Sequence, residues 1–154
     1  ALLANKKAYL PAQGVYLRAM EVAGEAQVGD TPYGDTPYAW SNAAYVDMLC
    51  QYGALLEEMK GTAAHLSAAA AAYDKALLLL PHAPVAQWRR GQLAWLLEDN
   101  VERAGALFQG ALQSAPNDPE ALARYAMMLS DEQDDDLRAE ELLLRALEAA
   151  PDHV

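Results

Sequence analysis

Cysteine and phenylalanine each occur once in this sequence, and positive charge is scarce, with 11 lysines and arginines against 22 aspartates and glutamates. The lone Cys50 excludes an internal disulfide, and its apolar neighbours mark it as a buried thiol rather than a nucleophile. The formal net charge of -11 opposes binding to nucleic acid or to an anionic membrane, since both reward lysine and arginine. It favours basic or neutral partners instead. Clustered β-branched residues are few, so strands have little to build from. No run of eighteen apolar residues occurs, so no membrane-spanning helix is expected. No basic-then-apolar leader precedes Ala1, which has the look of a mature or trimmed end; localisation stays open.

Catalytic patterns are equally scarce. His65, His82 and His153 are scattered, without the spacing of a metal site. The acidic run Asp131, Glu132, Asp134, Asp135, Asp136 lacks the glycine and terminal glutamate of a calcium loop and reads as a solvated turn. Glu57-Glu58 has no companion acid. There is no glycine-rich phosphate loop, no Ser-His-Asp set and no HExxH. The chain is therefore expected to be no enzyme, and to take no metal and no cofactor.

What is present is helical punctuation and alanine, in a chain that is 53% hydrophobic and long enough for a real core. Residues 1–23 carry Leu2, Leu3, Tyr9, Val15, Tyr16, Ala19 and Met20 at helical spacing, with Pro11 as a kink or start. A turn-rich linker follows at 25–37, where GDTPY occurs twice in tandem. Thr36-Pro37 then opens a helix from about Tyr38 toward Met59. Gly61 breaks it, and Thr62 is placed to cap an alanine-rich helix over about 63–80 that Pro81 ends. After Pro84 come two helices separated by the polar turn Glu98-Asp99-Asn100. Asp118-Pro119 caps the next, the charged turn Ser130–Asp136 follows, and a last helix covers about Leu137–Ala150.

These helices repeat. Ala104, Phe108, Ala111 and Pro116 recur as Ala139, Leu143, Ala146 and Pro151, and as Ala69, Tyr73, Ala76 and Pro81, with identical steps. Ala12, Tyr16 and Ala19 match the first part of the pattern, with Gly24 in the proline place. Small alanines let one helix approach another, the large residue fills the gap, and proline resets the chain. Upstream of Ala104 stand Trp88 and Trp95, with Gly91 and Gln92 between them. Leu122, Tyr125, Ala126 and Leu129 hold the corresponding places in the last unit, whose turn is one residue longer. In the earlier unit the best match is Trp40, Ala43, Ala44 and Asp47. That phase implies a 13-residue insertion, since Trp40 precedes Ala69 by 29 residues and Trp88 precedes Ala104 by 16.

This pattern resembles the tetratricopeptide repeat. The resemblance covers about Pro37–Pro151, with residues 8–24 as a half-repeat. It implies an all-α solenoid of helical hairpins, about three helix pairs plus a leading helix, in one domain overall: a half-repeat at 1–24, the linker at 25–37, and repeats at 38–81, 85–116 and 119–151 within 38–154.

The resemblance also implies a partner-binding groove lined by the first helix of each unit. Its residues here are Ser41, Tyr45, Met48, Arg89, Leu93, Leu96, Ala123, Met127 and Ser130. Some family members clamp a peptide's terminal carboxylate. Arg124 fits that pattern, but Ser41, Tyr45 and Glu120 stand where its other members belong, which excludes that ligand. The expected function is a non-catalytic scaffold holding a protein or an extended peptide. The first alternative is a structural subunit that stacks end to end into a filament or ring. The chain stops where another repeat would begin, and Leu142, Leu144 and Leu147 load its last helix with leucine. A weaker alternative is a bacterial cytochrome c maturation assembly factor, since such factors use similar repeats. Thr31, Tyr33, Thr36 and Tyr38 of the duplicated segment form either a tether or an exposed recognition segment, the threonines being open to O-glycosylation if the chain is extracellular.

Overall fold

The structure, a computed structural model, describes residues 42–59, 62–133 and 135–150, together with Gly14 and Arg18. Six helices account for almost all of these: α1 (Asn42–Glu58), α2 (Ala63–Leu79), α3 (Pro84–Glu98), α4 (Val101–Ser114), α5 (Pro119–Gln133) and α6 (Asp136–Ala149). No strand occurs among the described residues, so the chain is all-α there. Successive helices pair as hairpins, α1 with α2, α3 with α4 and α5 with α6. Gly14 and Arg18 are both helical, while the rest of the leading segment and the duplicated GDTPY linker lie outside the described residues. None of the described helices is long and apolar enough to cross a membrane. The chain divides into two compact units, Ala1–Leu80 and Pro81–Val154.

In the first unit, α2 turns Ala69, Ala72, Tyr73 and Ala76 inward, and α1 buries Tyr45, Leu49, Tyr52 and Leu56 among others. Cys50 is a buried free thiol. The Tyr73 hydroxyl donates to the Glu57 carboxylate on α1. The repeat phase of this hairpin differs from the one the sequence suggests. Ala43 and Asp47 face solvent, and Trp40 lies outside the described residues. The close contact is instead at Gly53, where a Cβ would stand 2.5 Å from the ring Cζ of Tyr73. Gly91 plays that part in the next hairpin, where a Cβ would meet Leu107 Cβ at 3.2 Å and the Ala104 carbonyl at 3.3 Å. Gly53 precedes Tyr73 by 20 residues and Gly91 precedes Phe108 by 17, so by this contact the first hairpin is longer by three residues, not by 13. Sequence matching followed the tryptophan, whereas packing follows the residue small enough to admit the ring.

The second unit is built on α3–α6. Trp88, Ala94, Ala104, Phe108, Ala111, Leu122, Tyr125, Met128, Leu129, Ala139, Leu142 and Ala146 belong to its core. Phe108 stacks on Tyr125, with centroids 5.5 Å apart and planes 16° from parallel. Such a pair adds about 0.5–1.5 kcal/mol beyond the burial of its area. Gln109 Nε2 donates to the Tyr125 hydroxyl at 2.9 Å beside that stack.

Side-chain caps set the helix starts in this unit. The carboxamide oxygen of Asn100 accepts from Arg103 N at 2.9 Å, Asp118 from Ala121 N at 3.0 Å, and Asp135 from Arg138 N at 3.2 Å. Asp99 closes α3 in the left-handed conformation, with φ 50°. Glu98 fastens the same turn, bridging buried Arg90 at 2.7 Å and Arg103 at 3.2 Å. Two expectations need correction. Thr62 occupies the N-cap place of α2 but makes no side-chain cap bond. The charged turn expected over Ser130–Asp136 is much shorter, because α5 runs on to Gln133. Its last turn is tied down on both sides: the Trp95 indole donates to Glu132 at 2.9 Å, and the Ser130 hydroxyl donates to Asp136 at 2.9 Å.

Candidate interaction surface

In the second unit α3 and α5 pack side by side, and α4 packs on α5. The inward faces of α3 and α5 carry Trp88, Leu122 and Tyr125 into the core. The outward faces are not fully polar. Leu96 on α3 is 56% exposed and Met127 on α5 is 49% exposed, and Val85 and Leu97 on α3 are exposed as well. The Trp95–Glu132 bond joins the C-terminal halves of these two helices, which holds their outward side chains in a fixed relation. The guanidinium of Arg89 lies over the Trp88 ring, 4.6 Å from its centroid, a cation–π contact. α5 also carries Glu120, which pairs with Arg124 at 3.5 Å, and exposed Asp131 and Glu132.

The residues expected to line a groove fall into several places. Arg89 and Leu96 lie on α3 and exposed Met127 on α5, two helices that pack together, with Ala123 half-buried on α5 and Ser130 exposed at its end. Leu93 is buried in the second unit. Tyr45 and Met48 are buried residues of the first unit, the Tyr45 ring lying under the Lys75 ammonium at 5.1 Å. Ser41, Thr31, Tyr33, Thr36 and Tyr38 lie outside the described residues. No protein-family model matches the chain, and no curated protein matches it.

On the last helix, Leu142 points into the core while Leu144 and Leu147 are exposed. Sequence reasoning passed over Leu143 there, treating it as the gap-filling residue of its repeat. The place it holds is that of Phe108, but it is 41% exposed where Phe108 is 0% exposed. The available signal was the 35-residue spacing itself, combined with the question of which helix comes next to cover it. Among the described residues no group of three or more histidine, cysteine, aspartate or glutamate side chains is placed to hold a metal ion.

Proposed function

We propose that the chain is a non-catalytic interaction scaffold, a tetratricopeptide-like set of helical hairpins that holds a protein or extended peptide on the outward face of α3 and α5. The observation that carries this reading is the exposure of Leu96 and Met127 on two packed helices tied by Trp95 and Glu132. Large apolar side chains held outward on rigid elements keep their hydration cost until a partner covers them, and little entropy is lost in ordering them.

The test is a peptide-display selection against the pure chain, followed by affinity measurement on Leu96→Asp combined with Met127→Asp. Both positions are exposed, so circular dichroism and melting should match the parent. Selected peptides should lose at least about tenfold in affinity, the scale of a lost interface anchor. Unchanged affinity moves the binding site off this face.

A second reading, end-to-end stacking of copies, draws support from Leu144 and Leu147 on α6, both exposed. The net charge of -11 weighs against it, because like-charged copies repel.

A further inference from the structure

Met127 and Met128 are neighbours in sequence with opposite surroundings. Successive residues of a helix point about 100° apart. Met128 is thereby carried into the core of the second unit, where it is fully buried, while Met127 stands 49% exposed on the outward face of α5. Met48 in the first unit is buried, Met59 is half-buried, and Met20 lies outside the described residues. Met127 is thus the most exposed methionine among the described residues. Cys50, whose thiol also oxidises, is buried. An oxidant arriving from solvent meets the Met127 sulfur ahead of these buried ones.

We propose that Met127 is an oxidation site through which hydrogen peroxide weakens partner binding on the face of α3 and α5. The proposal rests on the reading of that face as the binding surface, and adds its regulation. The thioether sulfur attacks one oxygen of the peroxide, and the O–O bond breaks. That oxygen stays on sulfur as the sulfoxide, its proton passes to the departing hydroxide, and water leaves. Sulfur gives up two electrons and the peroxide takes them. The fold is kept, because the modified side chain is exposed and Met128 stays as it is in the core. The face changes, because a flexible apolar side chain becomes a polar one with a strong acceptor. An apolar partner that covers it strips water from the new oxygen and offers no donor in return, which opposes binding. Leu96 on α3, the other exposed apolar anchor, has no sulfur to oxidise, so binding is weakened and not erased. A methionine sulfoxide reductase restores the thioether, which makes the change reversible.

The full chain is treated with dilute hydrogen peroxide and digested, and each sulfoxide is located by fragmentation in the mass spectrometer. Oxidation should accumulate at Met127 several-fold faster than at Met48, Met59 or Met128, with melting unchanged. The peptides selected by display on the parent should bind the oxidised chain about tenfold more weakly and recover after reductase treatment. Met127→Leu should bind as the parent does and ignore peroxide, which excludes Met20 and Cys50 as the source. Met127→Gln, polar and uncharged, should bind as the oxidised parent does. Faster oxidation at a buried methionine, a lowered melting temperature, unchanged affinity after complete oxidation at Met127, or a peroxide effect that persists in Met127→Leu each overturns the inference. Leu96→Asp with Met127→Asp separates its failure from that of the reading beneath it. Normal binding by that variant, or a selection that yields no peptide, overturns both. Loss of binding by that variant beside full binding by the oxidised parent overturns the inference alone.

Discussion

Tyr73 lies over Gly53 so closely that a Cβ at residue 53 would stand 2.5 Å from its ring Cζ and 2.8 Å from its hydroxyl oxygen. The ring is fully buried and its hydroxyl reaches Glu57 on the same helix as Gly53, so it has nowhere to retreat without giving up that bond. Gly53→Ala should therefore destabilise the chain by about 1–3 kcal/mol, the usual range for overpacking, despite the better helix propensity of alanine. Urea denaturation followed by circular dichroism measures it. Equal or greater stability would show that α1 and α2 separate easily at this point.

Asp99 adopts a left-handed backbone at the end of α3. Asp99→Gly should raise stability by roughly 0.5–1 kcal/mol, since glycine has no Cβ to strain there, and Asp99→Val should lower it by at least as much. The same denaturation curves report both. Stabilisation by valine would mean that the turn is free to change conformation.

Phe108 and Leu143 hold one place in the repeat but differ in cover, 0% against 41% exposed. Phe108→Ala should cost roughly 3–5 kcal/mol, because the cavity opens beneath the Tyr125 ring. Leu143→Ala should cost under about 1 kcal/mol, as expected for a half-exposed side chain. Similar losses at both positions would show that Leu143 is already covered in solution.

The caps of α4, α5 and α6 offer a graded check. Asn100→Ala, Asp118→Ala and Asp135→Ala should each cost about 1 kcal/mol through the lost bond to Arg103, Ala121 or Arg138 N. Thr62→Ala should cost less than any of them, because Thr62 makes no side-chain cap bond. Melting temperatures across the four variants give the order directly.

Leu93 shows why groove residues must be chosen from the structure. A charge placed there to block binding would enter the core of the second unit, since Leu93 is buried, and a loss of binding would only report unfolding. Leu96 and Met127 carry the same test without that fault.

Much of the fold was legible in the sequence. Alanine at three- and four-residue spacing, Asn100, Asp118 and the prolines at 35-residue intervals state helix, turn and hairpin locally, because propensity and capping act within a few residues. The hairpin order and the turn at Glu98–Asn100 follow from them. The pairing of Gly53 with Tyr73, the outward Leu96 and Met127, and the unequal cover of Phe108 and Leu143 were decided elsewhere. A helix's hydrophobic period says which residues share a stripe, but not which neighbour meets that stripe. Close contact depends on which residue leaves room for a buried ring, and in the first hairpin that residue is Gly53. Leu143 and Phe108 share a sequence position, and only the presence of α5 beside α4 makes one of them core and leaves the other on the surface.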